Sequence, residues 1–459
     1  MSAPSTSCQK KRIVHYISSK EYVDICNLHP KVYGRSALVN SLLEAYGLLD
    51  KMVVTPPKMC TQGDLLTFHT KDYIKCLQSI ESYFKENYPG DLNYYKSGDI
   101  DHTDLLEDEE MDITSHGFGY DCEVFPNLFS YTKFVAGATM TAADGLLNRE
   151  CDIAVNLNGG WHHAHVDEAA GFCYVNDIVI GILHLLKQFK RILYIDFDIH
   201  HGDGVEEAFK FSKKVFTLSL HRYHKGFFPG TGDHDDIGLG AGEYYTCNIP
   251  LKSSIKDQSY TNFFNEIFQE INSIFKPDII VCQCGADMLN GDPLGDFNLT
   301  EACLSDCLQI ITAVNVPMLV LGGGGYNLQN TAKCWVKMIA SLLNETIDEN
   351  IPEHDFLETY GPDFSLCISP GNRKDENTES YLTELMEEVT DNLQQCSLDI
   401  NDAGTDDSNK VKEKSSLKRT INDNFDKDEI NDLDGSPCDE VLKDESSIIE
   451  LKKMRENEH

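Results

Sequence analysis

Positive charge is scarce in this chain: 39 lysines and arginines face 75 aspartates and glutamates, a formal charge of −36 over 459 residues. The sequence pI is near 4.7. A chain this acidic repels phosphate backbones, so direct nucleic-acid binding driven by counterion release is not expected. Its favoured partners are basic, lysine-rich polypeptides among them. Long hydrophobic runs are missing too, and without about 18 consecutive apolar residues no membrane-spanning helix is expected. Residues 1–12 lack an apolar stretch and close on Lys10-Lys11-Arg12, which is not the pattern of a secretory leader. Cysteine itself is plentiful, but disulfide-scaffold spacing is absent. The 16 cysteines fall inside apolar strand and helix patterns, as Cys282 and Cys284 do. They read as reduced core thiols of an intracellular protein. No second Cys or His pair matches the interval of Cys282 and Cys284, so a zinc-finger-like ligand set is not indicated. No internal repeat is present.

What is there is ample apolar material, 41% hydrophobic and 10% aromatic residues, enough to bury a substantial core. The length suits one large α/β domain or two ordinary ones. Two segments stand apart. Residues 85–116 form a polar, acidic, aromatic-dotted insertion ending in Leu105-Leu106-Glu107-Asp108-Glu109-Glu110, and a loop this long inside a domain is functional or disordered. From about 372 a helix is expected over 379–395, followed by an Asp-, Asn-, Ser- and Lys-rich tail that reads as disordered. The basic patch Lys410 to Arg419 is either a nuclear-import signal or a solvated charge run.

Between these segments strand and helix patterns alternate. Short apolar, β-branched runs occupy 153–157, 192–199, 215–220, 279–284 and 317–321, and amphipathic stretches occupy 131–147, 173–189, 259–275, 300–314 and 330–343. Alternation implies parallel strands joined by helical crossovers, and near-continuous apolarity implies strands covered on both faces. The pattern predicts a three-layer α/β domain around a mainly parallel sheet.

Each of the five runs ends in unusual chemistry. Gly159-Gly160-Trp161-His162-His163 follows the first, and Asp196 and Asp198 lead into His200-His201-Gly202-Asp203-Gly204 in the second. The third ends at His221, the fourth at Gly285-Ala286-Asp287, and the fifth at a glycine run before Tyr326. Ligands of open parallel sheets bind beyond the carboxyl ends of the strands, so these exits locate the active site. Residues two apart in an extended segment project to one side, which brings Asp198 and His200 to a common point. A carboxylate and a neutral imidazole suit zinc, catalytic zinc sites keep three protein ligands and one open position, and Asp287 is the natural third ligand. Two readings of the tandem His162-His163 stand open. Either each ring is oriented by a carboxylate, with Asp196 and Asp203 available, or both are further metal ligands. The glycine run lacks the Gly-x-x-x-x-Gly-Lys-Ser/Thr arrangement of a phosphate loop. Its use is close backbone approach to a ligand, leaving the Tyr326 hydroxyl free to donate into the site.

These residues resemble the class I zinc-dependent histone deacetylases. The resemblance is carried by Gly159 to Ala164, Gly171-Phe172-Cys173-Tyr174, Asp196 to Gly204, Phe228-Pro229-Gly230-Thr231-Gly232 and Gly322 to Tyr326. It runs in order from about residue 12 to 372. It implies a catalytic domain over 12–372 with the arginase/deacetylase fold, the 85–116 loop inserted in it, and a C-terminal helix and acidic tail over 373–459. It implies zinc on Asp198, His200 and Asp287 (iron(II) in its place is compatible with two carboxylates and an imidazole) and hydrolysis of acetyl-lysine in histones or other proteins, with a role in chromatin and transcription regulation. By resemblance His163, paired with Asp203, is the general base, and His162, paired with Asp196, its electrostatic neighbour. Sequence alone does not divide labour between the two rings. Tyr326 is the oxyanion donor, Phe172 and Phe228 with Gly171 wall a tunnel for the lysine stem, and Asp121 and Leu294 belong to the substrate-binding rim. Potassium is implied at Asp196, Asp198, His200, Ser219 and Leu220, and again at Phe209, Val215 and Tyr245, although ordinary strand-end packing explains the same residues. Trp161, Gly226-Phe227-Phe228 and Glu21-Tyr22-Val23 resemble the type-8 branch. Pro293 and Gln329 stand where corepressor-bound class I members carry arginines, which implies that a corepressor is not obligatory. Against the type-8 pattern stand Leu294, the acidic insertion and the long tail. Residence in the nucleus, the cytoplasm or both is expected. Deacylation of longer chains or of acetylpolyamines is the rival enzymatic reading, and a silent acetyl-lysine scaffold the non-enzymatic one. The scaffold requires loss of a ligand, of His163 or of Tyr326, and all are present.

Overall fold

Strands buried on both faces carry apolar residues at every position, and the two faces sort them by parity. The computed structural model describes residues 12–88 and 112–421, with 401–421 as backbone only. The acidic run Glu107 to Glu110 and residues 422–459 lie outside the described residues, and the side chains of Lys410 to Arg419 are likewise not described. The strands are β1 (Val14–Ile17), β2 (Val53–Thr55), β3 (Ile153–Asn156), β4 (Ile192–Asp196), β5 (Val215–Arg222), β6 (Thr246–Leu251), β7 (Ile279–Gln283) and β8 (Met318–Leu321). They form one sheet in the order β2-β1-β3-β8-β7-β4-β5-β6, parallel throughout.

Leu193 and Ile195 of β4, Ile280 and Cys282 of β7, and Met318 and Val320 of β8 enter one core. Ile192 and Tyr194, Ile279 and Val281, and Leu319 and Leu321 enter the other. The first core is covered by helices Arg35–Ala45, Asp257–Phe275, Glu301–Thr312 and Leu328–Leu342. The second is covered by Lys20–Cys26, Lys71–Asn87, Leu128–Leu147 and Asp177–Leu185. Helix Asp257–Phe275 shows how a stripe is made: Tyr260, Phe263, Phe264, Ile267, Phe268, Ile271 and Phe275 are buried at helical spacing. The chain therefore adopts a three-layer α/β arrangement around an all-parallel sheet.

The five expected strands are all present, and β1, β2 and β6 add to them. β2 is a three-residue edge strand whose Val53 and Val54 stay exposed, and β6 contains Asn248 and Pro250, so neither shows the apolar run of a central strand. The 173–189 stretch is helical only over Asp177–Leu185, because Asn176 caps it, its side chain accepting from the Val179 amide. The C-terminal helix runs from Glu379 to Ile421, past the 379–395 stretch. Its apolar face continues through Leu385, Val389, Leu393 and Cys396, all buried in the first core. Lys213 Nζ lies 2.7 Å from Asp399, and the Tyr245 hydroxyl donates to the same carboxylate at 2.8 Å. All 14 described cysteines are free, and only Cys367 is exposed.

Candidate metal and catalytic site

Four adjacent strands at the middle of the sheet, β3, β8, β7 and β4, end on the same side and carry the chemistry. Asp196 is the last residue of β4, and its Oδ1 accepts from the Asp198 amide at 3.0 Å, which folds the exit so that Asp198 and His200 turn together. Asp287 arrives after β7, its Oδ1 accepting from the Ile199 amide at 3.0 Å. One ligand atom from each of Asp198, His200 and Asp287 lies within 4.8 Å of the others, and all three side chains are buried. His200 Nδ1 is 3.1 Å from a carboxylate oxygen of each aspartate.

Two carboxylates sharing one imidazole out of water demand a cation. Burial and then the charge of Asp198 push Asp287 up. Burial alone would depress His200, but the two carboxylates outweigh it and raise it to about 10. A proton on His200 thus stands where a metal ion would supply the missing positive charge, so the donor set fits a divalent metal. The glycine run of β8's exit closes the pocket: the Gly324 amide donates to Asp198 Oδ2 at 2.9 Å. A Cβ on Gly324 would stand 2.0 Å from Asp287 Oδ2.

Each tandem histidine takes one carboxylate. His162 Nδ1 is 2.8 Å from Asp196 Oδ2, and His163 Nδ1 is 2.7 Å from Asp203 Oδ1. The Tyr194 hydroxyl also donates to Asp196 Oδ2, at 2.6 Å. The turn presenting the pair is pinned by Asp177, which accepts from the Gly160 and Trp161 amides. Electrostatics separates the two rings. Burial would lower His162, but Asp196 and Asp198 raise it to about 9. Burial, reinforced by the charge of His162, holds His163 down at about 3. Of the two readings of the pair, the structure favours carboxylate-oriented rings. Their Nδ1 atoms are engaged away from the metal cluster, and only His162 Nε2 approaches it, 3.8 Å from Asp198 Oδ2.

The aromatic residues expected to line a tunnel pack against these groups. Phe228 stands edge-on to His163 (centroids 4.9 Å apart), Phe227 stacks on His200 (5.2 Å), and Phe172 meets Tyr326 edge-on (5.5 Å). Each wall ring thus packs on a different polar candidate. Phe172 holds φ 67°, next to Gly171 at φ 52°. A non-glycine residue in that region is strained and persists only where its surroundings hold it. Here Lys31 Nζ lies 4.5 Å from the Phe172 ring centroid, and Asp121 Oδ2 accepts from the Gly171 amide at 2.7 Å. Burial and the carboxylates of Asp287 and Asp198 keep the Tyr326 phenol protonated. Ser219 pairs with Asp196 across β4 and β5, which brings one set of potassium candidates to a single strand end. In the other set, the carbonyls of Phe209 and Tyr245 accept from the Ser212 and Thr217 amides.

Three residues of this site were not legible beforehand. Gln283 ends β7 and bridges Gly160 O and Asp198 Oδ2 at 3.3 and 2.8 Å; a polar residue within the run Ile279 to Cys284 was its only signal. Asp292 accepts from the Leu294, Tyr326 and Asn327 amides, tying the rim to the tyrosine, yet in sequence it is an ordinary turn residue. Arg35, buried, donates to Gly325 O at 3.0 Å and lies over Trp335. Nothing in its surroundings along the chain announces that.

A three-layer parallel sheet with a buried Asp-His-Asp cluster and two carboxylate-oriented histidines at its strand exits is an arrangement that fits a hydrolase of the metal-assisted kind. The histone deacetylase domain profile matches residues 29–342. Histone deacetylase 8 of Danio rerio is 44% identical over 384 residues, covering 84% of this chain and 96% of that protein. The Xenopus tropicalis protein of the same name is 43% identical over 381 residues, covering 83% and 97%. The chain belongs to the histone deacetylase family. It is a hydrolase that deacetylates lysine in histones or other proteins, of class I and similar to the type-8 members.

Proposed function

We propose that this chain is a zinc-dependent lysine deacetylase in which Asp198, His200 and Asp287 hold the metal, His163 is the general base and acid, and Tyr326 stabilises the oxyanion. The observation that carries the reading is the buried Asp-His-Asp cluster beside two histidines, each held at Nδ1 by its own carboxylate. A divalent metal bound there supplies Lewis acidity toward the acetamide carbonyl and lowers the pKa of a bound water, to about 7 in favourable zinc sites. The rest is the work of the chain. Neutral His163, its Nδ1 held by Asp203, has Nε2 free to accept a proton from the attacking water and then to return it to the leaving lysine amine. His162, whose proton affinity Asp196 and Asp198 raise, is pushed the opposite way from His163, the arrangement expected when two titratable neighbours take different roles. Tyr326, kept protonated, donates to the carbonyl oxygen as it gains charge. Phe172 and Phe228 flank the apolar lysine stem, with Asp121 and Leu294 at the rim. Potassium would be held by Asp196, Asp198, His200, Ser219 and Leu220 at the exits of β4 and β5, and by Phe209, Val215 and Tyr245 near the start of β5.

Pro293 and Gln329 leave the rim without the cations that an inositol phosphate between enzyme and corepressor needs, so catalysis proceeds without a corepressor. The test uses the purified full chain with an acetyl-lysine peptide, a long-chain acyl peptide and an acetylpolyamine, with and without chelator, alongside metal analysis. Turnover of the acetyl-lysine peptide, abolished by chelator and restored by zinc, is expected. Chelator-insensitive turnover would overturn the metal assignment. A zinc-loaded, folded but inactive monomer would overturn independence from a corepressor.

A further inference from the structure

His165 follows the catalytic pair by two residues and has no part in the chemistry above. Its ring nonetheless lies between two carboxylates of the short helix Asp203–Phe209. Nδ1 is 2.7 Å from Glu207 Oε2, and Nε2 is 3.6 Å from Asp203 Oδ2. Asp203 therefore serves two imidazoles at once, since its other oxygen, Oδ1, meets His163 Nδ1 at 2.7 Å and the Gly204 amide at 2.9 Å.

We infer that His165 is a positioning residue for the deacetylation: a cation lodged between Asp203 and Glu207 that keeps Asp203 aimed at His163. The inference rests on the base role proposed for His163.

Three physical points carry it. Asp203 and Glu207 are four residues apart on one helix, so their like charges repel across one turn unless a cation sits between them. An imidazole donates from both nitrogens only when protonated, and a carboxylate at each nitrogen selects that form. In keeping with this, both carboxylates raise the proton affinity of His165 although burial opposes them. The third point is anchorage. The His165 amide donates to Glu168 O at 2.9 Å and Glu207 grips Nδ1, so the ring is held at its main chain and at one nitrogen while Nε2 faces Asp203. Without it, Asp203 Oδ2 faces a like charge. The carboxylate, whose side chain is 15% exposed, then gains by turning toward water, which draws Oδ1 off His163.

The experiment compares kcat and KM of the metal-loaded full chain on an acetyl-lysine peptide. His165→Gln, isosteric enough to fill the space but uncharged, is expected to lower kcat about tenfold, the scale seen when an orienting partner of a histidine is removed, with KM within about twofold. His165→Lys restores a cation and is expected to recover kcat to within about threefold of the parent. Glu207→Gln, which loosens the anchor, lowers kcat about threefold. In an Asp203→Asn background His165→Gln adds no further loss, because residues acting as a unit are not additive. The inference is overturned by an unchanged kcat in His165→Gln, by equal losses in the Gln and Lys variants, or by losses that multiply in the double variant. Should His165→Gln fail to fold, Glu207→Gln decides, and an unchanged kcat there overturns it. If Asp203→Asn keeps full activity, the base assignment itself falls. If Asp203→Asn is impaired and His165→Gln is not, only the present inference falls.

Discussion

Tyr326 and Gly324 sit two residues apart on one loop and act by opposite means, one through a group it offers and the other through a group it lacks. The Tyr326 hydroxyl is the proposed donor to developing charge, so Tyr326→Phe is expected to cost kcat about 10²–10³-fold, with KM nearly unchanged in steady-state kinetics. Equal loss in KM would place the hydroxyl in ground-state binding instead. Gly324→Ala puts a methyl 2.0 Å from Asp287 Oδ2 and 2.9 Å from Asp198 Oδ2, distances no carbon tolerates. The ligands must part, and bound metal per chain, measured after dialysis against buffered zinc, is expected to fall well below one while the fold is retained. Full metal occupancy would show that the loop yields instead.

The C-terminal helix extends beyond the expected 379–395 stretch, and its Leu385, Val389, Leu393 and Cys396 complete the core over helix Asp257–Phe275. Leu393→Ala is expected to lower unfolding free energy by about 2–5 kcal/mol, the range for emptying a buried leucine site, read from urea denaturation. A loss under 1 kcal/mol would mean that the helix is only loosely docked. Farther along, burial would raise the Asp399 carboxyl, but hydrogen bonds from Lys213 and Tyr245 hold it below its usual range. A depressed folded pKa gives stability that is present above the unfolded carboxyl value, near 4, and lost as pH falls through the folded one. The stability gap between the parent and Asp399→Asn is therefore expected at pH 6 and should close below about pH 4. A gap independent of pH would assign the effect to packing.

Over the whole molecule the −36 formal charge acts at the distance of diffusing substrate. kcat/KM for an acetylated lysine-rich peptide is expected to fall several-fold between low and high salt, with little change for an uncharged peptide. Part of that charge, Asp108, Glu109 and Glu110, lies outside the described residues. Neutralising these three should flatten the salt dependence, and an unchanged slope would place the steering field elsewhere.

Sequence by itself singled out Asp198, His200 and Asp287 as candidate ligands and the side of the sheet on which they gather, because strand-end aspartates and histidines after buried apolar runs have few other uses. It determined the expected strands because a segment covered on both faces must be largely apolar. It did not show β1, only four residues long with His15 among them, or β2 and β6, since edge strands face water or carry polar residues, nor the length of the C-terminal helix, whose apolar face is spread thinly among charges. Only tertiary structure decided what depends on pairs distant along the chain. Gln283 reached Asp198, Asp292 joined Leu294 to Tyr326, and His165 came to lie between Asp203 and Glu207. The separation of His162 from His163 belongs here as well. The two rings are adjacent and chemically identical, and only the fold gives Asp196 to one and Asp203 to the other, with Asp196 and Asp198 raising the proton affinity of His162 and burial lowering that of His163.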